Sequence, residues 1–461
     1  MHRTLAMIAI LVSVASCGPR PLAGDDRDLI ARDLGRAPEH DGRFLPRLSP
    51  SSPLTADDDP PPEAGAEHYV RLAVARSPSL AAQRQRVLGL RERVPQVTAP
   101  PDPMLEVTPI GRMDRTVAGE VMVMTGVRQT IPFPGKLASA GRVAEQESLV
   151  AEQERRRMEA ELAGEVRRAY WNLYAAERAL ELTSAAREAL AQIHQATLAR
   201  YRAGQGQQQD VLRAGVELAE ADQQLVELRA DRDAAAALLN TLSDRPPDTP
   251  APVAARAEPA SIELVFDELA ALAARSSPRL EALRHEAELA RRRRHLAHLQ
   301  RYPDFTAIVS YNLVNADDMI PNSSGDDQWS IGVGISIPLW QGRLDAAERE
   351  ATRGVLEAAG RAAAEQNRIA YRLREALARL EAQRTQIALL DETILPRARQ
   401  ALDASRAAYA SGVAEFLNVI ENWRRLLTLE RTRERLIADT HVSIASILEA
   451  VGLPTLSETL P

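Results

Sequence analysis

His295 and His298 stand three residues apart in the run RRRRHLAH, and on a helix that spacing brings two imidazoles to one face, where they could share a metal ion. The four residues Arg291 to Arg294 come directly before them, so the segment also reads as a solvated basic face, the commoner arrangement. Met122 and Met124 alternate as a thioether pair on one strand face would, and core or lipid-facing methionines give the same pattern. Asp317-Asp318 and Asp326-Asp327 offer oxygen ligands for a divalent ion, or simply a hydrated loop. Beyond these the chain has no Gly-rich phosphate loop, no Ser or Cys nucleophile with a plausible base, and no cysteine set for zinc. No catalysis, resident metal or dissociable cofactor is therefore expected. A balance of 57 Lys and Arg against 64 Asp and Glu leaves no nucleic-acid footprint.

The single cysteine sits where processing chemistry occurs. Arg3, the apolar run Leu5 to Val14 and the small residues Ala15-Ser16 form a secretion signal, residues 1–16, ending at Cys17. That end resembles the lipobox of bacterial lipoproteins, whose cysteine becomes the acylated N-terminus. The alternative is an ordinary signal with a chance cysteine. A lone thiol in an oxidising compartment has no partner, whereas a thioether-linked lipid leaves no thiol. Gly18 in place of Asp favours, by the same resemblance, the outer membrane. Residues 17–62, rich in Pro, Asp, Arg and Ser and ending in DDDPPP, read as a lipidated tether or wrapping arm.

The elements that follow come in two copies, 63–250 and 251–453, with a tail at 454–461. Ser77-Pro78-Ser79-Leu80-Ala81-Ala82 answers Ser277-Pro278-Arg279-Leu280-Glu281-Ala282, and YRAGQGQQQDVLRA from Tyr201 answers YASGVAEFLNVIEN from Tyr409. Between these marks each copy has a proline-marked break and then period-two alternation. Phe305, Ala307, Val309, Tyr311 and Leu313 share a face, as do Ile331, Val333, Ile335 and Ile337; Leu105, Val107, Val121, Val123 and Val127 do so less cleanly. The corners IPFPGKL, from Ile131, and IPLWQGRL, from Ile337, end strands and start helices. No proline interrupts Lys136 to Arg202, roughly 100 Å of helix. The second long helix, about Arg343 to Ala410, is interrupted only at Pro396. Along it Ile369, Leu373, Ala376, Leu380, Gln383, Ile387, Leu390 and Ile394 step by four and three, a coiled-coil seam. Gly204 and Gly412 end the long helices, and return helices follow to about Leu242 and Val451.

Four strands with open edges cannot close a barrel alone. The repeat, the strand-to-helix corners and the two Tyr-x-x-Gly tips resemble the TolC-type outer-membrane efflux duct family over nearly all of Ala66 to Leu453. That resemblance implies a mainly α fold with a small β part: duplicated long helical hairpins forming a trimeric α-barrel, and four strands per chain completing a 12-stranded transmembrane β-barrel. It implies a passive exit duct of a tripartite pump, with a homotrimer, a periplasmic adaptor, an inner-membrane pump and outer-membrane lipid as partners. The corner Gln129 to Lys136 resembles a heavy-metal efflux subset. By motif position the family's acidic gate maps to Asp210, Asn418 and Glu421, with Asn418 departing from an all-acidic pattern, and Asp210 and Asn418 also fit as caps of the return helices. The docking tips map to Tyr201, Gly204, Tyr409 and Gly412. A periplasmic adaptor, with one hairpin in a small β-domain, and a lipid-anchored structural coiled coil are the competing classes.

Overall fold

A computed structural model of the 461-residue chain describes residues 61, 64–110, 115–254, 256–260, 265–317 and 319–453. The signal peptide, Cys17, the tether apart from Pro61, Asp318 and the tail lie outside the described residues.

The two copies are built alike. α1 (Ala66–Arg76) stops at Ser77, whose hydroxyl accepts the amide of Leu80 at 3.4 Å, and Pro78 opens α2 (Pro78–Arg91). α6 (Phe266–Ser276) and α7 (Pro278–Leu299) meet at the matching Ser277-Pro278, where proline again opens the helix but the serine hydroxyl makes no capping bond. Proline fits there because the first amide of a helix has no partner inside it. After α3 (Arg93–Thr98) the first copy forms β1 (Met104–Pro109), β2 (Arg115–Thr116) and β3 (Gly119–Ile131), then α4 (Lys136–Arg202) and its return α5 (Gln208–Leu242). The second copy forms β4 (Phe305–Asn315), β5 (Gln328–Ile335), α8 (Gln341–Leu389), α9 (Leu395–Ala410) and the return helix α10 (Phe416–Val451).

The helices make a wall. Near the sheet α4 packs against α2 and α7, and α7 against α8; towards the tips α4 packs along α5 and α10, and α10 along α9. The seam is real: Ile369, Leu373, Ala376, Leu380, Ile387 and Leu390 are buried. Each large side chain among them contributes about 2 kcal/mol. A second cluster at mid-length joins Tyr69 of α1, Tyr170, Leu173 and Tyr174 of α4, Leu239 of α5 and Ile437 of α10. The break expected at Pro396 begins six residues earlier, as a π-helical turn at Leu390–Ile394. A proline ring collides with the carbonyl four residues back, and a widened turn relieves that clash. Asp391 in this turn pairs with Arg433 of α10 at 2.5 Å.

All strands pair antiparallel in the order β1-β3-β4-β5, with β2 folded onto β3, so the β3–β4 pairing joins the copies and leaves β1 and β5 as edges. Leu105, Val127, Val309 and Ile331 stand in one row across β1, β3, β4 and β5, and every one is exposed. The opposite face carries the Glu106–Arg128 ion pair and a 2.6 Å contact between the Ser310 and Ser330 hydroxyls. One face is apolar and unburied, the other polar. Ile337 is exposed but lies just beyond β5. Two expectations need correction here. A bulge between Val121 and Val123 makes Met122 an extra residue, so it does not alternate with Met124, which pairs with Asn312 and Thr108 on the polar face. The same bulge moves Val121 off the face of Val123 and Val127, because each inserted residue reverses the alternation.

The strand-to-helix corner ties the copies together. Phe133 stacks on Tyr302 with centroids 4.6 Å apart, and the Lys136 ammonium donates to Asp304 Oδ1 and to the Tyr302 carbonyl, both at 2.8 Å. Asp304 Oδ1 also accepts the Phe133 amide, and its backbone meets Ser336 at the end of β5. The corner that resembles the heavy-metal subset is thus a packing device. Lys136 is buried, so Asp304→Asn strands a buried ammonium and should lower stability by up to about 3 kcal/mol. Adding Lys136→Met should recover most of that loss in thermal unfolding. Equal losses in the single and double variants would show that the ion pair is not what holds the corner.

Candidate functional site

The two hairpin tips are the part of the molecule where polar side chains from all four long helices converge. Each long helix ends in the same backbone device: Gly204 (φ 73°) and Gly412 (φ 75°) take the left-handed conformation, and the next amides, Gln205 and Val413, reach back to the carbonyls of Arg200 and Ala408 at 2.9 Å. A side chain at either glycine would be strained there, although both lie in open space. Beneath the tips an apolar cluster of Leu190, Ala214, Leu402, Phe416, Val419, Ile420 and Trp423 holds the two hairpins together.

The copies then diverge. Tyr201 is exposed, whereas Tyr409, its counterpart, is half-buried and engaged on three sides. The Arg200 guanidinium lies 4.8 Å over its ring and donates to the carbonyls of Tyr409 and Ala410. Phe416 packs at 5.3 Å, and the Tyr409 hydroxyl donates to Asp210 at 3.3 Å. Burial raises the pKa of that hydroxyl, so it remains a donor through neutral pH. Asp210 is half-buried under Tyr409, while Asn418 and Glu421 are exposed on the first turns of α10.

The helix caps are Gln207 and Glu415, without side-chain capping bonds, and Asp210 and Asn418 sit three positions further in. The reading of these two as caps therefore does not hold. Asp210 still lies in the first turn, where a carboxylate is favoured by the helix dipole.

Sequence reasoning missed a polar tie between the two return helices. Arg424 of α10 makes a paired contact to Glu217 of α5, with Nε to Oε2 at 2.7 Å, and reaches Glu220 at 3.0 Å. Glu217 is buried, so the pair fastens one return helix to the other. Its only advance signal was charge: the repeat offset sets Arg425 opposite Glu217, one residue out of step with the true partner. Elsewhere, His298 packs edge-on to Tyr302 and lies 3.6 Å from Glu348, and His295 is exposed. Among the described residues no group of three or more His, Cys, Asp or Glu could hold a metal, and no helix is long and apolar enough to cross a membrane.

A sheet with an exposed apolar face, continued by paired helical hairpins of this length, defines the architecture of an outer-membrane channel. The family model described as "Outer membrane efflux protein" matches residues 69–243 and 269–452, and the chain belongs to that family. Its members are passive ducts and not enzymes. Comparison with curated proteins gives no match. Among solved structures the chain is similar to the outer membrane protein VceC of Vibrio cholerae (TM-score 0.69, 21% identity, 84% of this chain and 96% of that one). It is also similar to CusC (0.68, 17%, 91% and 99%) and to the open state of the MtrE channel of Neisseria gonorrhoeae (0.68, 18%, 84% and 89%).

Proposed function

We propose that this chain is the outer-membrane exit duct of a tripartite efflux pump, three copies closing one β-barrel and one α-barrel, with Cys17 acylated. The observation that carries the proposal is the row Leu105, Val127, Val309, Ile331: an apolar face left uncovered across an open sheet whose other face is polar. In a closed barrel that combination meets lipid outside and water inside. Outer-membrane extraction followed by heated and unheated electrophoresis tests it. A heat-modifiable oligomer supports the duct; a chain released with the periplasmic fraction would favour an adaptor or a structural coiled coil.

In this reading the tips are both gate and dock. Asp210, Asn418 and Glu421 face the axis, and Tyr409 and Arg424 hold the return helices closed. Exposed Tyr201, Gly204 and Gly412 form the rim that receives the periplasmic adaptor. Tyr409, whose ring and hydroxyl are already engaged, serves the gate and not the rim. The resemblance of the Gln129–Lys136 corner makes heavy-metal ions the first cargo class to test, against drugs and other small molecules.

The lipid is tested separately. Cys17→Ala should abolish incorporation of a radioactive fatty acid while leaving the heat-modifiable oligomer, because assembly depends on the strands. Labelling that persists in the variant would remove the lipoprotein assignment alone.

A further inference from the structure

The sheet is exposed on both faces except at the end remote from the helices. There Val121 and Val314, partners in register, are only 1% and 5% exposed. Both belong to the polar face, the side of Ser310 and Ser330, because Val314 lies on β4 an even number of residues from Ser310. On the reading above this is the inner face of the barrel, at its outer mouth. The described segments at that end are the turn Thr116 to Gly119 from the first copy and the loop after β4 from the second.

These two segments are joined. Arg115 Nε lies 2.9 Å from Asp317 Oδ2, Gln328 Nε2 donates to Thr116 Oγ1 at 3.2 Å, and the Gly325 amide donates to the Ala118 carbonyl at 2.7 Å. The loop is braced internally too. Asp317 Oδ1 accepts the Met319 amide, and Ser323 Oγ both accepts from the Asp317 amide and donates to the Asp317 carbonyl, each at 2.9 Å. Gly119 makes the close approach possible, since a Cβ there would stand 2.0 Å from the Asn315 carbonyl oxygen. The arrangement is a built one: two loops from different copies, pinned to each other over an apolar pair on the lumenal face.

We propose that this cap is a second closure of the duct, at the extracellular mouth, latched by the Arg115–Asp317 pair and distinct from the periplasmic tips. The proposal rests on the reading of the sheet as a membrane barrel. Three caps, one per subunit, fold towards the axis and exclude bulky molecules from outside. Arg115 is half exposed, and the few contacts that hold the cap make it far easier to open than the strands beneath. A cap of this kind lets cargo leave and resists what arrives from the medium.

The test uses Ser330→Cys, an exposed position on the lumenal face just inside the cap, in whole cells treated with membrane-impermeant maleimides. A small reagent should label it in every variant. A bulky polyethylene glycol maleimide should label it slowly in the otherwise native chain and about fivefold to tenfold faster with Arg115→Glu or Asp317→Arg. The doubly exchanged chain, Arg115→Glu with Asp317→Arg, should return to the slow rate, and Arg115→Gln should fall between if charge reversal impairs folding. Equal bulky labelling in all of these, in chains that still give the heat-modifiable oligomer, overturns the outer closure. Failure of the small reagent to label Ser330→Cys at all would overturn the barrel reading along with it.

Discussion

Val333→Arg is expected to abolish recovery of the assembled oligomer from outer membranes, while Gly334→Arg, one residue further on, leaves it close to the unmodified level. Val333 is 80% exposed and pairs with Ala307 on the face that carries Ile331 and Ile335, so an arginine there is driven into lipid. The cost near mid-bilayer is about 2 to 4 kcal/mol per site, and threefold symmetry applies it three times. That exceeds half of what a typical domain has to spare. Gly334 lies on the polar face, where a Cβ would meet Thr306 at an ordinary 3.5 Å and the side chain would extend into water. The measurement is the amount of heat-modifiable oligomer in the outer-membrane fraction. Equal losses, or the reverse order, would mean that the two faces of the sheet have been assigned the wrong way round.

The second large effect is expected at the tips. Tyr409→Phe with Arg424→Ala removes one hydrogen bond to a carboxylate and the paired contact to Glu217, two of the polar ties between the hairpins of one chain. Arg424 is half exposed and the Tyr409 bond is long, so the combined loss is put at about 2 kcal/mol per chain. Even that shifts a closed-to-open equilibrium by more than tenfold. Reconstituted channels should therefore show higher conductance and more frequent open events than the native chain. Carboxylates at the mouth should also make the native channel prefer cations, since a narrow low-dielectric opening focuses their field. Changing both Asp210 and Glu421 to Ala should reduce that preference in a salt gradient. Unchanged conductance in the first variant would place the gate elsewhere. An unselective native channel would remove the acidic ring from the mechanism.

Much of this molecule is written locally. Pro78 and Pro278 start helices through a fixed φ, helped in the first copy by the capping hydroxyl of Ser77, Gly204 and Gly412 end them through a left-handed turn, and the four-three spacing from Ile369 to Leu390 declares its own buried face. Each of these depends on residues within a turn or two of one another. The features that escaped sequence reasoning depend on distant partners or on counting. The contact of Arg424 with Glu217 spans 207 residues, and that of Tyr409 with Asp210 spans 199. One bulge residue at Met122 reversed the faces of everything before it on the strand, and nothing in the alternation itself marks where such a residue is inserted. The π-helical turn lies ahead of the proline that causes it, because the clash is with a preceding carbonyl.

The edges of β1 and β5, unpaired among the described residues, have a consequence for heredity. A barrel that closes only between copies is spoiled by any copy that cannot pair, so harmful changes on those edges should behave as dominant alleles. In a cell making normal and edge-defective chains in equal amounts, random assembly leaves about one barrel in eight wholly normal. A gene that tolerates total loss can therefore be poisoned by a single faulty product, and a strain carrying both alleles should be more sensitive to the pump's substrates than one carrying a half dose of the normal gene alone.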